Sequence, residues 1–320
     1  MTDISLGFVY RKGNPYLNNM RAQVNMRKLF FVALPRQLGV TVEYYGSPDV
    51  LDLKHVADKH DAWLFFDAVG WGIPKLLNWE KLRGPKFCHI GDSHGAAKVC
   101  PVYGKTKLEQ CREFAFDAYF FQHHPEYFYR FFPRDWTYWW VPMGVDWTLY
   151  NTRSGKPWEL RRKDKVLLTG VDGPEYYPLR TRLRHDARIH YNQPGGYQGD
   201  SYSPGQYDGE RYPVLLGQWR ASVASGYSIL NKCFEVAAGG CLNLIEVTED
   251  NGCGLIGYQD GKTAVFITPQ TASDKIDEFL ADADNPRWQQ IATAGREFVL
   301  NNYTHMNCAA RLVEHIRRLL

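Results

Sequence analysis

Short apolar runs alternate with helical stretches on both sides of one polar break, and this constrains the chain more than any other feature. β-type runs fall at Ser5–Val9, Thr41–Tyr45, Ala62–Phe66, Lys86–Ile90, Ala118–Phe121 and Trp139–Pro142. Helical patterns lie between them, at Asn19–Leu34 and Thr106–Phe114 for example. Strand and helix in turn predict successive βαβ units and a parallel sheet. The stretch Asn151–Pro157 is polar and punctuated by glycine and proline, as a linker is. A second series follows, with strands at Lys165–Thr169, Ser222–Ala224, Leu242–Glu246 and Ala264–Ile267. Its helices are at Arg180–His185, Asn231–Ala238, Thr271–Ala281 and Pro286–Asn301, and an amphipathic helix from Met306 closes the chain. At 320 residues the chain has the length for two domains. The expectation is an α/β protein with domains at 1–150 and 158–305 and a C-terminal helix at 306–320.

Several classes are excluded at once. The longest apolar run, Leu29–Leu34, is far short of the roughly 20 residues that span a membrane. No basic segment followed by an apolar stretch opens the chain, so a signal peptide is not expected. Seven cysteines are scattered, without a Cys-x-x-Cys pair, and read as reduced thiols. A soluble cytoplasmic protein is the expectation. Net charge is only +3, but residues 1–40 carry six basic side chains (Arg11, Lys12, Arg21, Arg27, Lys28 and Arg36) against one acid, Asp3. Residues 191–213 hold five tyrosines among Gly, Pro, Gln and Asp, with no helix or strand period. They read as a long loop that is functional or covers the rim of a site.

The segment Lys232-Cys233-Phe234-Glu235-Val236-Ala237-Ala238-Gly239-Gly240 is an apolar helix with one acid that ends in two glycines, and an apolar strand follows. A carboxylate in such a helix needs a partner. Two vicinal ribose hydroxyls would serve Glu235, and so would a nearby arginine. Upstream, a strand ending at Thr169 breaks into Gly170-Val171-Asp172-Gly173. Glycines at a strand's C-terminal end let a backbone approach phosphate, and they also serve ordinary strand-to-helix turns. Arg180 follows as a candidate bidentate clamp on a diphosphate, or as one of several arginines on a solvated helix face. In the first half, Asp92 and His94 follow the strand Lys86–Ile90, where they could orient an acceptor hydroxyl or take its proton, or where Asp92 could cap the next helix. Asp67, ending another strand, is a weaker candidate for the same role. His123 and His124 are adjacent, with no third ligand, so no metal site is expected. No Gly-x-Gly-x-x-Gly or Gly-Lys-Ser/Thr phosphate loop occurs, which removes the main support for a dehydrogenase or a P-loop enzyme.

The Lys232–Gly239 segment resembles the C-terminal signature of GT-B nucleotide-sugar glycosyltransferases, the spore-maturation type and related retaining hexosyltransferases in particular. Tyr258–Val265, Ile291–Val299 and Asn302–His305 resemble the segments that follow in that group, and Val141–Asp146 resembles the turn that ends its first domain. The resemblance spans about 140–310. It implies two Rossmann-like domains facing a cleft, the second binding a nucleotide-sugar donor and the first an acceptor, with the last helix returning to the first domain. It places Glu235 on the nucleotide ribose and Lys232 facing the diphosphate, with Gly239 part of the same donor-binding signature; Gly170, Gly173 and Arg180, read above from the strand end, are expected in the same donor site. It implies no metal and no other cofactor, since basic side chains and helix dipoles stabilise the leaving diphosphate. The commoner pattern of the group has an acid at the position of Tyr227, near the donor sugar. That departure leaves the sugar and the stereochemistry open. The acceptor expected is a hydroxyl on a polysaccharide, protein or small molecule. A hydroxymethylated DNA base is the alternative, with Arg11 and Lys12 as its phosphate contacts. A non-catalytic sugar-nucleotide-binding protein is a further one.

Overall fold

A computed structural model describes residues 3–14, 17, 24–67, 73–100, 103–152, 155–192, 197–198, 201–202 and 211–320. The chain divides into two units. The first runs from the N-terminal strand to Met143 and takes in His305–Leu320; the second is built on Gly144–Thr304. The boundary therefore lies at Met143–Gly144, several residues before Asn151–Pro157. Val145 donates its backbone N–H to Tyr303 O at 2.8 Å, and Arg296 donates to Tyr150 O at 3.2 Å. These bonds tie the segment after Gly144 to the second unit.

The first unit is a six-stranded sheet with β1 (Ile4–Arg11), β2 (Val40–Ser47), β3 (Ala62–Asp67), β4 (Lys86–Ile90), β5 (Ala118–Phe121) and β6 (Tyr138–Trp140) in the order 2-1-3-4-5-6. Every pairing is parallel. β3 and β5 are buried along their whole length, as strands covered on both faces must be. Thr106 and Glu109 form a reciprocal cap at the start of the helix Lys107–Phe114, which fixes where that helix begins. The helix His305–Arg317 buries Cys308, Ala309, Leu312, Val313 and Ile316 in the core of this unit, a stripe at helical spacing. Arg317 bonds Leu38 O at 2.8 Å, and the ring of His315 stacks on Trp139.

The second unit is a five-stranded sheet with β7 (Val166–Thr169), β8 (Ile189–Asn192), β9 (Ala221–Ala224), β10 (Leu242–Glu246) and β11 (Val265–Ile267) in the order 8-7-9-10-11. It too is parallel throughout. Both sheets reverse their winding beside their first strand, between β1 and β3 and between β7 and β9. In open α/β sheets ligands bind at the carboxyl ends of strands at such a switch point.

The stretch 191–213 is not structureless at its ends. Tyr191 lies in β8, an edge strand, and Tyr212 opens the short helix Tyr212–Leu216. Residues 193–196, 199–200 and 203–210, with Tyr207 among them, lie outside the described residues, as do Arg21 and most of the first half of the expected helix Asn19–Leu34.

Candidate functional site

At the switch point of the second unit β7 ends in Thr169, and the chain turns at Gly170, whose φ of +101° favours glycine. A Cβ there would meet Arg180 Nη1 and Lys232 Cε, each at 2.7 Å. The glycine thus lets two cationic side chains close over the strand end. Arg180 is 2% exposed. Its guanidinium donates to Val171 O at 2.6 Å and to Ser225 O, and it lies 4.1 Å from the ring centroid of Tyr177. Its Nε is buried with no hydrogen-bond partner. Lys232 opens the helix Lys232–Ala238. Its Nζ donates to Thr169 Oγ1 at 2.7 Å and to the Tyr212 hydroxyl at 3.1 Å.

The electrostatics of this pair are unusual. Burial pushes the Lys232 ammonium down to about 8, against the pull of Glu235 and with Arg180 adding to the fall. Burial also holds the Arg180 guanidinium below its usual range. Among the described residues neither cation has a carboxylate within ion-pair distance. A buried charge without a counter-charge is costly, and an anion arriving at this point relieves it. Glu235, one helical turn from Lys232, is half-buried and acts on it at longer range.

The remaining residues of the donor signature divide. Tyr191 donates its hydroxyl to Gly170 O at 3.0 Å and so braces the turn. Gly173 accepts from Tyr177 N at 2.7 Å and donates to Thr181 Oγ1 at 3.0 Å. A Cβ on Gly173 would meet nothing within 4 Å, so it closes a turn whose outer side is open. Gly239 is a packing glycine: a Cβ there would lie 2.6 Å from Leu216 Cβ, where two helices meet. Tyr212, Tyr191, Thr169 and Ser225 were missed by sequence reasoning. Only their position at strand ends, or in the tyrosine-rich stretch, could have signalled them. Glu246, also missed, ends β10 and accepts from Gly226 N at 3.1 Å; burial raises its carboxyl above the usual range.

In the first unit the parallel sheet brings the residues after β1, β3, β4 and β5 to one edge. Asp67 is closed off: it pairs with Lys107 Nζ at 3.0 Å, both groups nearly fully buried, and burial raises its carboxyl against the pull of that lysine. Asp92 is a third exposed and lies between two imidazoles, 3.9 Å from His94 Nε2 and 3.6 Å from His123 Nε2. The Tyr127 hydroxyl is 3.2 Å from His94 Nδ1. His123 is fully buried, and burial, opposed by Asp92, pushes it down to about 4, so it is neutral at physiological pH. His123 and Tyr127 complete a cluster of which the sequence showed only Asp92 and His94. A partly exposed carboxylate such as Asp92 can take a proton from a hydroxyl. Arg11 donates through Nε to Pro48 O at 2.7 Å, and Lys12 is exposed beside it on the loop after β1.

Residues 178–314 match the family of glycosyl transferase-like proteins. Solved structures agree over nearly the whole chain. A sucrose-phosphate synthase from Thermosynechococcus elongatus superposes with a TM-score of 0.58 at 12% identity, covering 99% of each chain. An alpha-glucosyltransferase in complex with UDP and a 13-mer DNA gives 0.60 at 9% identity over 99% of this chain and 100% of its own. HepE from Anabaena in complex with UDP and glucose gives 0.54 at 10% identity over 99% and 100%. No curated protein matches by sequence. The solved structures share the fold of this chain, the GT-B architecture, and the family match covers residues 178–314 of the second unit and the last helix. Among the described residues no helix is long and apolar enough to cross a membrane.

Proposed function

We propose that this protein is a glycosyltransferase that takes a hexosyl group from a uridine diphosphate sugar and passes it to a hydroxyl acceptor. The observation that carries the donor assignment is the pair of cations, Arg180 buried and Lys232 half-buried, over Gly170 at the β7–β9 switch point. A diphosphate supplies the missing counter-charge, and the same cations stabilise the diphosphate as it leaves. Glu235 takes the ribose hydroxyls one turn further along the helix. Uridine is favoured because HepE and the alpha-glucosyltransferase are both recorded with UDP. No metal is required in this reading, because side chains already meet the developing charge. Asp92, with His94 at 3.9 Å and His123 at 3.6 Å, is the proposed base on the acceptor side. Calorimetry with UDP, GDP, ADP and dTDP tests the donor assignment: UDP binding to the wild type and its loss in Arg180→Met are expected. Sugar transfer to any acceptor separates an enzyme from a non-catalytic binding protein.

A DNA acceptor is the second reading. Arg11 and Lys12 support it, since they stand on the same sheet edge as Asp92 and could hold phosphates there.

A further inference from the structure

Cys233 and Cys253 are 2% and 3% exposed, and their Sγ atoms lie 3.8 Å apart, in contact and sharing a hydrogen bond. Cys233 stands in the helix Lys232–Ala238, next to Lys232 and two residues before Glu235. Cys253 opens the short helical turn Cys253–Ile256, in the segment after β10. Both backbones are pinned. Cys253 donates its backbone N–H to Asn251 Oδ1 at 3.0 Å, and Asn251 donates through Nδ2 to Glu246 O at 2.9 Å. The Cys233 carbonyl accepts from Asn243 Nδ2 at 3.1 Å and from the Tyr258 hydroxyl at 2.8 Å. The pair also differs in acidity from other buried thiols. Burial pushes those of Cys241 and Cys308 up to about 12. At Cys233 the hydrogen bond from Cys253 holds the thiol below its ordinary value, and Cys253 is raised by the same bond. The thiolate is the nucleophilic form, so Cys233 is the member that attacks.

We propose that Cys233 and Cys253 are a peroxide-responsive thiol pair, and that their reversible disulfide weakens donor binding. The Cys233 thiolate attacks one oxygen of hydrogen peroxide. An S–O bond forms, the O–O bond breaks, and the departing hydroxide takes up the thiol proton and leaves as water. Cys233 is then a sulfenic acid. The Cys253 sulfur, giving up its proton, attacks the Cys233 sulfur. The S–S bond forms, the S–O bond breaks, and the hydroxide leaves with that proton as a second water. Two thiols are oxidised and one peroxide is reduced. The S–S bond is about 2.05 Å long, so the sulfurs close by roughly 1.8 Å. With Cys253 tied through Asn251 to the end of β10, the closure draws on the first turn of the helix that carries Lys232 and Glu235. The effect on the donor rests on the donor reading above; the disulfide itself does not.

The test treats the folded full chain with hydrogen peroxide, blocks the remaining thiols by alkylation and digests it without reductant. Mass spectrometry is expected to find the peptides of Cys233 and Cys253 joined, and dithiothreitol to separate them. Calorimetry on the same samples is expected to show the UDP dissociation constant raised about tenfold by oxidation, the weight of one charged hydrogen bond, and restored by dithiothreitol. Cys253→Ser binds UDP as the reduced wild type does, keeps that affinity in peroxide and leaves Cys233 as a sulfenic acid that dimedone traps; Cys253→Ala serves if the serine variant does not fold. A wild type that binds UDP but forms no Cys233–Cys253 linkage overturns the proposal and leaves the donor reading standing. So does a linked protein whose UDP affinity is unchanged, or a loss of affinity in peroxide that persists in the Cys253 variants. A reduced wild type that binds no UDP overturns the donor reading itself.

Discussion

Lys232 titrates in a range where donor binding can be followed. Its ammonium, brought down to about 8 chiefly by burial, is partly neutral in mildly alkaline buffer. A diphosphate lying on Lys232 and Arg180 holds the proton in place. Affinity then follows the fraction of free protein in which the amine is already charged. That fraction is about nine-tenths at pH 7 and about one-tenth at pH 9, so donor affinity falls about tenfold across the interval, about 1.4 kcal/mol. Calorimetry in two buffers of different ionisation enthalpy reads the same event as proton uptake, rising from about 0.1 to about 0.9 proton per donor bound. Lys232→Met binds weakly at every pH and takes up no proton at this site. The shift also acts on stability, with a definite sign. The folded pKa lies below the unfolded one, so the unfolded chain binds the extra proton from about pH 8 up to the ordinary lysine range. Stability therefore rises with pH through that window, and the penalty is full below it. In neutral buffer Lys232→Met recovers up to about 3 kcal/mol, from which the lost bonds to Thr169 and Tyr212 are subtracted. A wild-type affinity that is flat from pH 7 to pH 9, or a slope that survives in Lys232→Met, refutes the reasoning.

Three further outcomes are expected. Glu235→Ala weakens UDP-sugar binding by about 2 kcal/mol, the value of a charged hydrogen bond with its partners left unpaired; unchanged donor affinity in the folded variant removes Glu235 from the ribose. Asp92→Ala and His94→Ala lower kcat while donor Kd stays nearly fixed, as for contacts made chiefly in the transition state; full activity in both moves the base elsewhere. If the acceptor is DNA, replacing Arg11 and Lys12 with alanine weakens binding to all sequences and flattens its salt dependence by about one unit per lost contact; a wild-type protein that binds no DNA at about 50 mM salt ends that reading.

The strands were legible because parallel strands covered on both faces are continuous apolar runs. Lys86–Ile90, Ala118–Phe121 and Leu242–Glu246 begin and end where their sequences change character. β8 was not legible for the complementary reason. Ile189-His190-Tyr191-Asn192 is an edge strand with one neighbour and a half-polar sequence, and nothing in its composition separates it from the loop that follows. Glu235, Lys232 and Arg180 could be picked out as charges in awkward apolar or strand-end positions. What compensates each charge could not. Asp67 looked like Asp92, an acid at a strand end, until Lys107 from a helix 40 residues away closed over it. His123 was set aside as half of an adjacent pair with no metal partner. Its place beside Asp92 follows from β4 and β5 being neighbours, and strand order is a property of the sheet that no local spacing carries.

Charge balance distinguishes the two sheet edges where their shared topology does not. Each sheet reverses beside its first strand, and each therefore offers a ligand-binding edge by the same rule. In the first unit the buried charge at that edge is balanced, because Asp67 and Lys107 answer each other at 3.0 Å. An incoming phosphate there would have to compete with a carboxylate already in place. In the second unit Arg180 and Lys232 are both cations, Lys232 already partly discharged by its surroundings, and their hydrogen bonds go to neutral carbonyls and hydroxyls. That edge gains from an anion what the other has already gained from Asp67. This difference in charge is what supports the proposed diphosphate site at the second sheet's edge. The proposed acceptor base is then Asp92, which lies on the first sheet's edge between the imidazoles of His94 and His123.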